Sequence, residues 1–423
     1  MEKFVQLHLH SCFSVLDGCS TPEALVDKAA EKGHAAIAIT DHGVLGGCLR
    51  MQNCAMSKGI KPILGMEGYV VSSLRKEDDK GKRIREKNNH IILHAMNESG
   101  WKNILYLNYL SNLDDEHFYY KPRFSFKELF EHSEGINVGS ACIASPFANL
   151  LKLGRDDQAE QLFQKFIEVF KDNFYAEVQL NEINDLEGYS QKQYNDWLIY
   201  QATKNGVPIV LSGDVHYADR DGADTQAMAF HVMKDEDKEV GQQFICHNLF
   251  YHGTSDYHDF NKKFNYNYSD SDIDSWCSNS VYEADKCGFL IQPNHGLSLP
   301  RMAFDEEKEL TGQAMAGLSK HFECAYEDCP KEYRDRLEME LALITRKGMM
   351  RYFLCLKDMV DWCDENGVWR GISRGSCGGS LLCCCIGLTK WVIDPIKNGL
   401  LFERFISAQR ISDAKINYRK EGA

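Results

Sequence analysis

The sequence predicts an α/β fold: a parallel sheet closed, or nearly closed, into a barrel over residues 1–285, followed by a mainly helical or mixed α+β part over 286–423. Three observations predict it. Seven short β-like runs alternate with helical patterns through the first two-thirds of the chain, the order of a sheet wrapped by helices. Side chains able to ligate a metal fall at or near the ends of most of these runs, the face that carries chemistry in such barrels. Beyond Pro293 the pattern becomes that of helices.

The first run is FVQLHLHS, residues 4–11. Val5, Leu7 and Leu9 alternate with Gln6, His8 and His10, a period of two that reads as a strand. His8 and His10 then share one side, roughly 7 Å apart. Taken alone, such a pair is better explained by two satisfied histidines on a buried strand. The later runs add further ligands. A helix over 22–31 has Thr21 as its cap and Pro22 at its first position. Residues 35–40 (AAIAIT) run into Asp41-His42-Gly43, and the region 62–71 carries Glu67. The charged stretch 75–87 reads as a surface loop before HIILHAM at 90–96. GINVGSAC (135–142), FYAEVQL (174–180) and VPIVLSG (207–213) complete the set, the last leading into Asp214-Val215-His216. Residues 253–280, rich in Asp, Asn, Tyr and Ser, read as the edge of the first domain. Residues 334–347 and 352–365 have helical spacing; Gly367 and the glycine loop 371–380 then precede an apolar helix over 381–388.

Composition is that of a globular protein, 43% hydrophobic and 26% charged, without an apolar run near the ~20 residues that span a bilayer. The sequence enters a strand at once, with no secretory signal, and none of the 16 cysteines forms a C-x-x-C pair, so reduced thiols and a cytoplasmic location are expected. Cys383, Cys384 and Cys385 read as small core residues. The net charge of −14 excludes a whole-protein basic field, although a local basic groove remains compatible with it.

The pooled candidate ligands are His8, His10, Asp17, His42, Glu67, His90, Cys142, Asp214 and His216. Nine are too many for one ion and suit two or three that share bridging carboxylates. Imidazole with carboxylate favours Zn²⁺ or Mn²⁺ over Ca²⁺. Clustered ions of this kind support phosphoester hydrolysis.

The segments LHLHSCFSVLDG, AITDHG, GMEGYV, HIILHA, SACIAS and GDVHY resemble the successive motifs of the polymerase and histidinol phosphatase (PHP) domain family, in the version found at the N-terminus of bacterial DNA polymerase III alpha subunits. The resemblance implies a distorted (β/α)7 barrel with a trinuclear metal site. Its ligands fall on the nine residues above. It supplies the assignment of Cys142, which spacing alone does not justify, and it leaves out His94 and Asp41, the latter orienting His42 or capping the loop. None of the nine is missing. The implied activity is 3′→5′ exonucleolytic proofreading or another phosphoester hydrolysis.

Arg374-Gly375-Ser376 and Gly379-Ser380 stand just before a helix, where glycines let the backbone approach a phosphate and free N–H groups attract it. A flexible turn between helices accounts for the loop equally well. The run 333–405 resembles the start of the polymerase III alpha palm, in which an R-G-S-x-x-G-S loop contacts the phosphates of the incoming nucleotide and a GLLFERF segment follows, here at 399–405. Two departures stand out. Gly371-Ile372-Ser373 replaces the family's Gly-Pro-Gly. At 410–419 the family's three-aspartate run is missing: aligned without a gap, Lys415 and Asn417 occupy the positions of two of the aspartates, and aligned with a short insertion the sequence stops just before them. A lysine cannot ligate Mg²⁺ at neutral pH, so the chain is expected not to polymerise alone. Mg²⁺ would serve a polymerase site only if another chain completed it. The partners implied are primer-template DNA, a deoxynucleoside triphosphate, and a second polymerase chain or other replisome subunits, with no membrane. The alternatives are a stand-alone small-molecule phosphatase of the PHP kind, against which 333–405 argues, and a non-catalytic scaffold module of a split polymerase. Exposed apolar surface is expected around Phe402, Phe405 and Ile406.

Overall fold

In a computed structural model, residues 3–77, 79–84, 87–182, 188–232, 246–292 and 299–407 are described. The chain divides into two compact units, Met1–Ile291 and Gln292–Ala423.

The first unit is built on an open, curled sheet. Its strands are β1 (Ala36–Ile39), β2 (Lys61–Val71), β3 (Asn89–Ala95), β4 (Lys121–Ser125), β5 (Ile136–Gly139), β6 (Phe174–Val178) and β7 (Ile209–Leu211). The order is β7-β6-β5-β3-β2-β4, and β1 lies against the first half of β2. A two-residue strand, Phe118–Tyr119, pairs with β4.

Two features depart from the sequence reading. The sheet is mixed: β3 runs antiparallel to both β2 and β5. Parallel neighbours need a long crossover, usually helical, whereas antiparallel ones do not. Among its described residues the charged stretch between β2 and β3 contains no helix, and the chain reverses there. Second, residues 4–10 form no regular ladder. They fill the space between β1 and the segment after β7 through single bridges, Gln6 to Ile37 and Leu9 to Val215. His10 N–H donates to the Val215 carbonyl (2.7 Å) and Thr40 N–H to that of Leu9 (2.9 Å). The alternation still operates. Leu9 packs with Ile37, Ile39 and Val215, while Val5 and Leu7 pack with Ala38 and Val210.

Helices cover the outside of the sheet. Asp156–Phe170 buries Ala159, Phe163, Phe166 and Phe170, a 3.6-residue stripe, against Phe147 and Phe174. The polar region read as a domain edge contains two helices, Thr254–Lys263 and Asp270–Lys286. The second buries Ile273, Trp276, Cys277, Ser280 and Ala284 at helical spacing, and its Ser280 hydroxyl oxygen accepts from the Val5 N–H at 2.8 Å. This contact anchors the start of the site-bearing segment.

The second unit, among its described residues, is helical rather than mixed α+β: Glu306–Phe322, Lys331–Arg346, Met350–Glu365 and the short Leu381–Cys385. Leu310, Leu318, Leu337, Ile344, Phe353 and Leu382 form its core. The expected exposure near the end of the chain is corrected here. Phe402 and Ile406 are buried in that core and Phe405 packs against it. Leu401 beside Phe402 is exposed, as are Trp362 and Trp369 elsewhere in the unit.

Candidate metal centre and glycine loop

All nine candidate ligands are brought together in the first unit. Strand ends deliver four of them: His42 follows β1, Cys142 follows β5, and Asp214 and His216 follow β7. Glu67 and His90 lie within β2 and β3, and His8 and His10 on the segment that fills the gap. The loop carrying Asp17 folds back so closely that a Cβ on Gly18 would lie 2.0 Å from the Ser11 carbonyl oxygen. Asp214 takes a left-handed conformation (φ 48°), a strained backbone of the kind found at functional sites.

Glu67 is the centre of the cluster. One carboxylate oxygen lies 2.8 Å from His90 Nδ1 and 3.4 Å from His8 Nε2. The other lies 2.5 Å from His42 Nδ1 and 3.5 Å from His10 Nε2. Asp214 Oδ1 stands 3.1 Å from His8 Nε2 and 3.3 Å from His10 Nε2. Asp17 lies between His42 Nε2 (3.0 Å) and His216 Nε2 (3.5 Å), and Cys142 Sγ is 3.7 Å from His90 Nδ1. Three overlapping triads keep their ligand atoms within 4.8 Å of one another: His10, His42 and His216; His8, His10 and Glu67; His42, Glu67 and His90.

Neighbours fix the ring orientations. His8 Nδ1 donates to Glu177 Oε1 (2.7 Å), so its Nε2 faces the cluster. His10 Nδ1 donates to Ser14 Oγ (3.0 Å), and Ser14 donates to Asp41 (2.8 Å). Asp41 also accepts from the Ser11 N–H at 2.7 Å, so it caps the loop and steers His10 through Ser14. His216 Nδ1 donates to the Asp214 carbonyl (2.7 Å), and Gln226 donates to Asp17 (2.8 Å). His94 stays outside the cluster, with its Nε2 against the Leu7 carbonyl oxygen (2.9 Å).

Burial alone would strip the histidines of their protons. It wins at His10, where the neighbouring His42 and His216 add to it and the pKa falls to about 3. At His42 burial is outweighed by Glu67 and Asp17, which raise the pKa to about 10. At His8 burial is likewise outweighed, by Asp214, Glu177 and Glu67, and the pKa rises well above the ordinary value. Against the burial penalty, His90, His42 and His8 hold Glu67 well below the carboxylate range. His42 therefore stabilises the metal-free chain fully below the unfolded pKa near 6.5, and that contribution is lost as pH rises through about 10. The melting temperature of metal-free protein is expected to fall between pH 6.5 and 10. Calorimetry showing a flat profile across that window would contradict the charge arrangement.

The donor set fits divalent cations. Both Glu67 oxygens and Asp214 Oδ1 are buried without a well-directed hydrogen bond, although ring nitrogens stand close by. Their lone pairs converge on shared space instead of on one another's protons.

The sequence reading missed Glu177, Ser14 and Gln226. Only Glu177 gave a signal, as the one acid in the buried run FYAEVQL.

In the second unit, Arg374, Gly375 and Ser376 are exposed, and Gly375 and Ser376 line a cleft of about 580 Å³ with Gly379, Leu400 and Arg404 among others. The expectation that the following helix offers free N–H groups is not met. Glu340, fully buried, accepts from the N–H groups of Leu381 (3.0 Å) and Leu382 (2.9 Å), and the Ser380 hydroxyl donates to it (2.8 Å). Ser380 and Gly379 are buried, so a phosphate at this loop meets Arg374, Gly375 and Ser376 first.

Residues 6–181 match the PHP domain, and residues 308–420 match the bacterial DNA polymerase III alpha NTPase domain. DNA polymerase III subunit alpha of Aquifex aeolicus is 34% identical over 97% of this chain and 35% of its own length. The chain is similar to the N-terminal part of polymerase III alpha subunits. The alpha subunit of Borreliella burgdorferi is 33% identical over 99% of the chain, and that of Treponema pallidum 32% over 97%. The chain spans about a third of the length of these polymerase III alpha relatives. An amidohydrolase structure from Chromobacterium violaceum covers 50% of this chain at 17% identity with a TM-score of 0.32, too slight a likeness to bear on the fold. Among the described residues no helix is long and apolar enough to cross a membrane. The stretch 410–419, with Lys415 and Asn417, lies outside the described residues.

Proposed function

We propose that the first unit is a metal-dependent phosphoesterase that removes nucleotides from 3′ ends, and that the chain works as the N-terminal part of a replicative polymerase alpha subunit. The observation that carries this reading is Glu67, a buried carboxylate approached by four imidazoles with both oxygens lacking a directed hydrogen bond. His8, His10, Asp17, His42, Glu67, His90, Cys142, Asp214 and His216 would hold two or three ions of Zn²⁺ or Mn²⁺. When bound, such ions lower the pKa of coordinated water and polarise a phosphoryl oxygen.

The chain's own residues do the rest. Glu177, the Ser14–Asp41 pair and the Asp214 carbonyl keep the Nε2 atoms of His8, His10 and His216 turned inward. Glu67 and Asp214 supply the negative charge that a cationic cluster requires. Arg374, Gly375 and Ser376, with Gly379 and Ser380 shaping the loop behind them, would meet the phosphates of a deoxynucleoside triphosphate on primer-template DNA. Polymerisation with Mg²⁺ needs aspartates that Lys415 cannot replace; a second polymerase chain would be one source of them.

The test is release of labelled nucleotide from a 3′-labelled single strand and a 3′-mismatched primer with Mn²⁺ or Zn²⁺. Native chain is expected to release label and His10→Ala is not. Equal release by both would sink the assignment. Glu177→Gln, which weakens the carboxylate hold on His8, is expected to lower metal affinity by about 10–100-fold without loss of fold. Unchanged affinity in a metal titration would remove Glu177 from this role.

A further inference from the structure

We infer that the first unit carries a second, separate site that binds a nucleotide, in a pocket lined by Lys76, Lys87, Lys152, Arg155, Phe126 and Asn149. None of the nine metal-site residues lines it. Asn89, which does line it, directly precedes His90 in β3, and successive strand residues point to opposite faces.

Three features define the ligand. The first is charge. Four cationic side chains converge on this pocket in a chain of net charge −14, and no carboxylate is among its described lining residues. Lys76, Lys87 and Arg155 make no ion pair with described residues, and Lys152 donates to the Ile143 carbonyl (3.2 Å). A phosphate is the anion that such a set recognises.

The second is an orphaned acceptor. Asn149 is 8% exposed, and its amide orientation is fixed: Nδ2 donates to Asn89 Oδ1 (2.8 Å) and to the Ala144 carbonyl (3.2 Å). Asn89 Oδ1 must be an acceptor, because Asn89 Nδ2 donates to the Val70 carbonyl (2.8 Å). Asn149 Oδ1 is left buried without a partner. A nucleobase N–H satisfies such an acceptor. The third feature is a half-buried ring, Phe126, offering a stacking surface in a cleft of about 770 Å³, within the usual size of a ligand pocket.

The nucleotide could be free or the end of a strand; both present the same phosphate and base. Isothermal titration of the whole chain with dAMP, with a short single-stranded oligonucleotide and with inorganic phosphate separates the sources. Native protein is expected to bind dAMP, the oligonucleotide or both more tightly than phosphate. The exposed double variant K87Q/R155Q is expected to bind about tenfold more weakly. Binding of dAMP assigns a free nucleotide, and binding of the oligonucleotide alone assigns a strand end. Absence of both, equal affinity for phosphate and nucleotide, or unchanged affinity in the variant would overturn the site. His10→Ala should keep this binding while losing hydrolysis, so the two readings fail separately.

Discussion

Replacing Glu67 with Gln is expected to slow 3′-nucleotide release by at least about a hundredfold, beyond the loss typical of a residue that only supports a ligand. The side chain keeps its shape and loses its charge. Four imidazoles lie within 3.5 Å of the two carboxylate oxygens, and no other carboxylate of the cluster is contacted by so many. An amide offers one acceptor and places an NH₂ group against ring nitrogens that must present lone pairs to a cation. The variant should fold, because the surrounding strands bury Met66, Val70 and Leu93 independently of it. Release within about threefold of native, with fold intact, would show that Glu67 holds no cation that matters to turnover.

Glu340→Ala is expected to destabilise the second unit by about 3–5 kcal/mol, the cost of removing one partner of a buried charged pair. Its carboxylate joins Arg336 Nε (2.7 Å), the Ser380 hydroxyl and the first N–H groups of the Leu381–Cys385 helix. Alanine would leave those donors buried and unmet. Arg336 also reaches the carbonyls of Gly379 and Leu400, so the glycine loop should loosen as well. Amide exchange at Leu381 and Leu382 reads this directly. A loss below about 1 kcal/mol would mean that water replaces the carboxylate.

Legibility in the sequence followed the physics of each element. The ligands could be read because strands end in short polar turns, so His42, Asp214 and His216 stand out against the apolar runs before them. Cys142 needed the family resemblance, since a buried thiol after an apolar strand usually means packing. The reversal at β3 was readable in principle from the helix-free connection before it, but alternation of apolar residues does not report strand direction. The helices in 253–286 were hidden by composition: a helix with one narrow buried stripe looks polar throughout. Phe402 and Ile406 were misplaced because apolar character does not say which surface covers a side chain. The occupied helix start at Leu381 depends on Glu340, forty-one residues earlier, and a local motif does not register such a contact.

The most direct test of the central claim is the metal content of the purified full chain. Elemental analysis is expected to find two to three equivalents of Zn or Mn per chain, with Glu67→Gln retaining fewer. Less than one equivalent in native protein, prepared without chelator and offered both metals, would contradict the metal centre and the hydrolysis built on it.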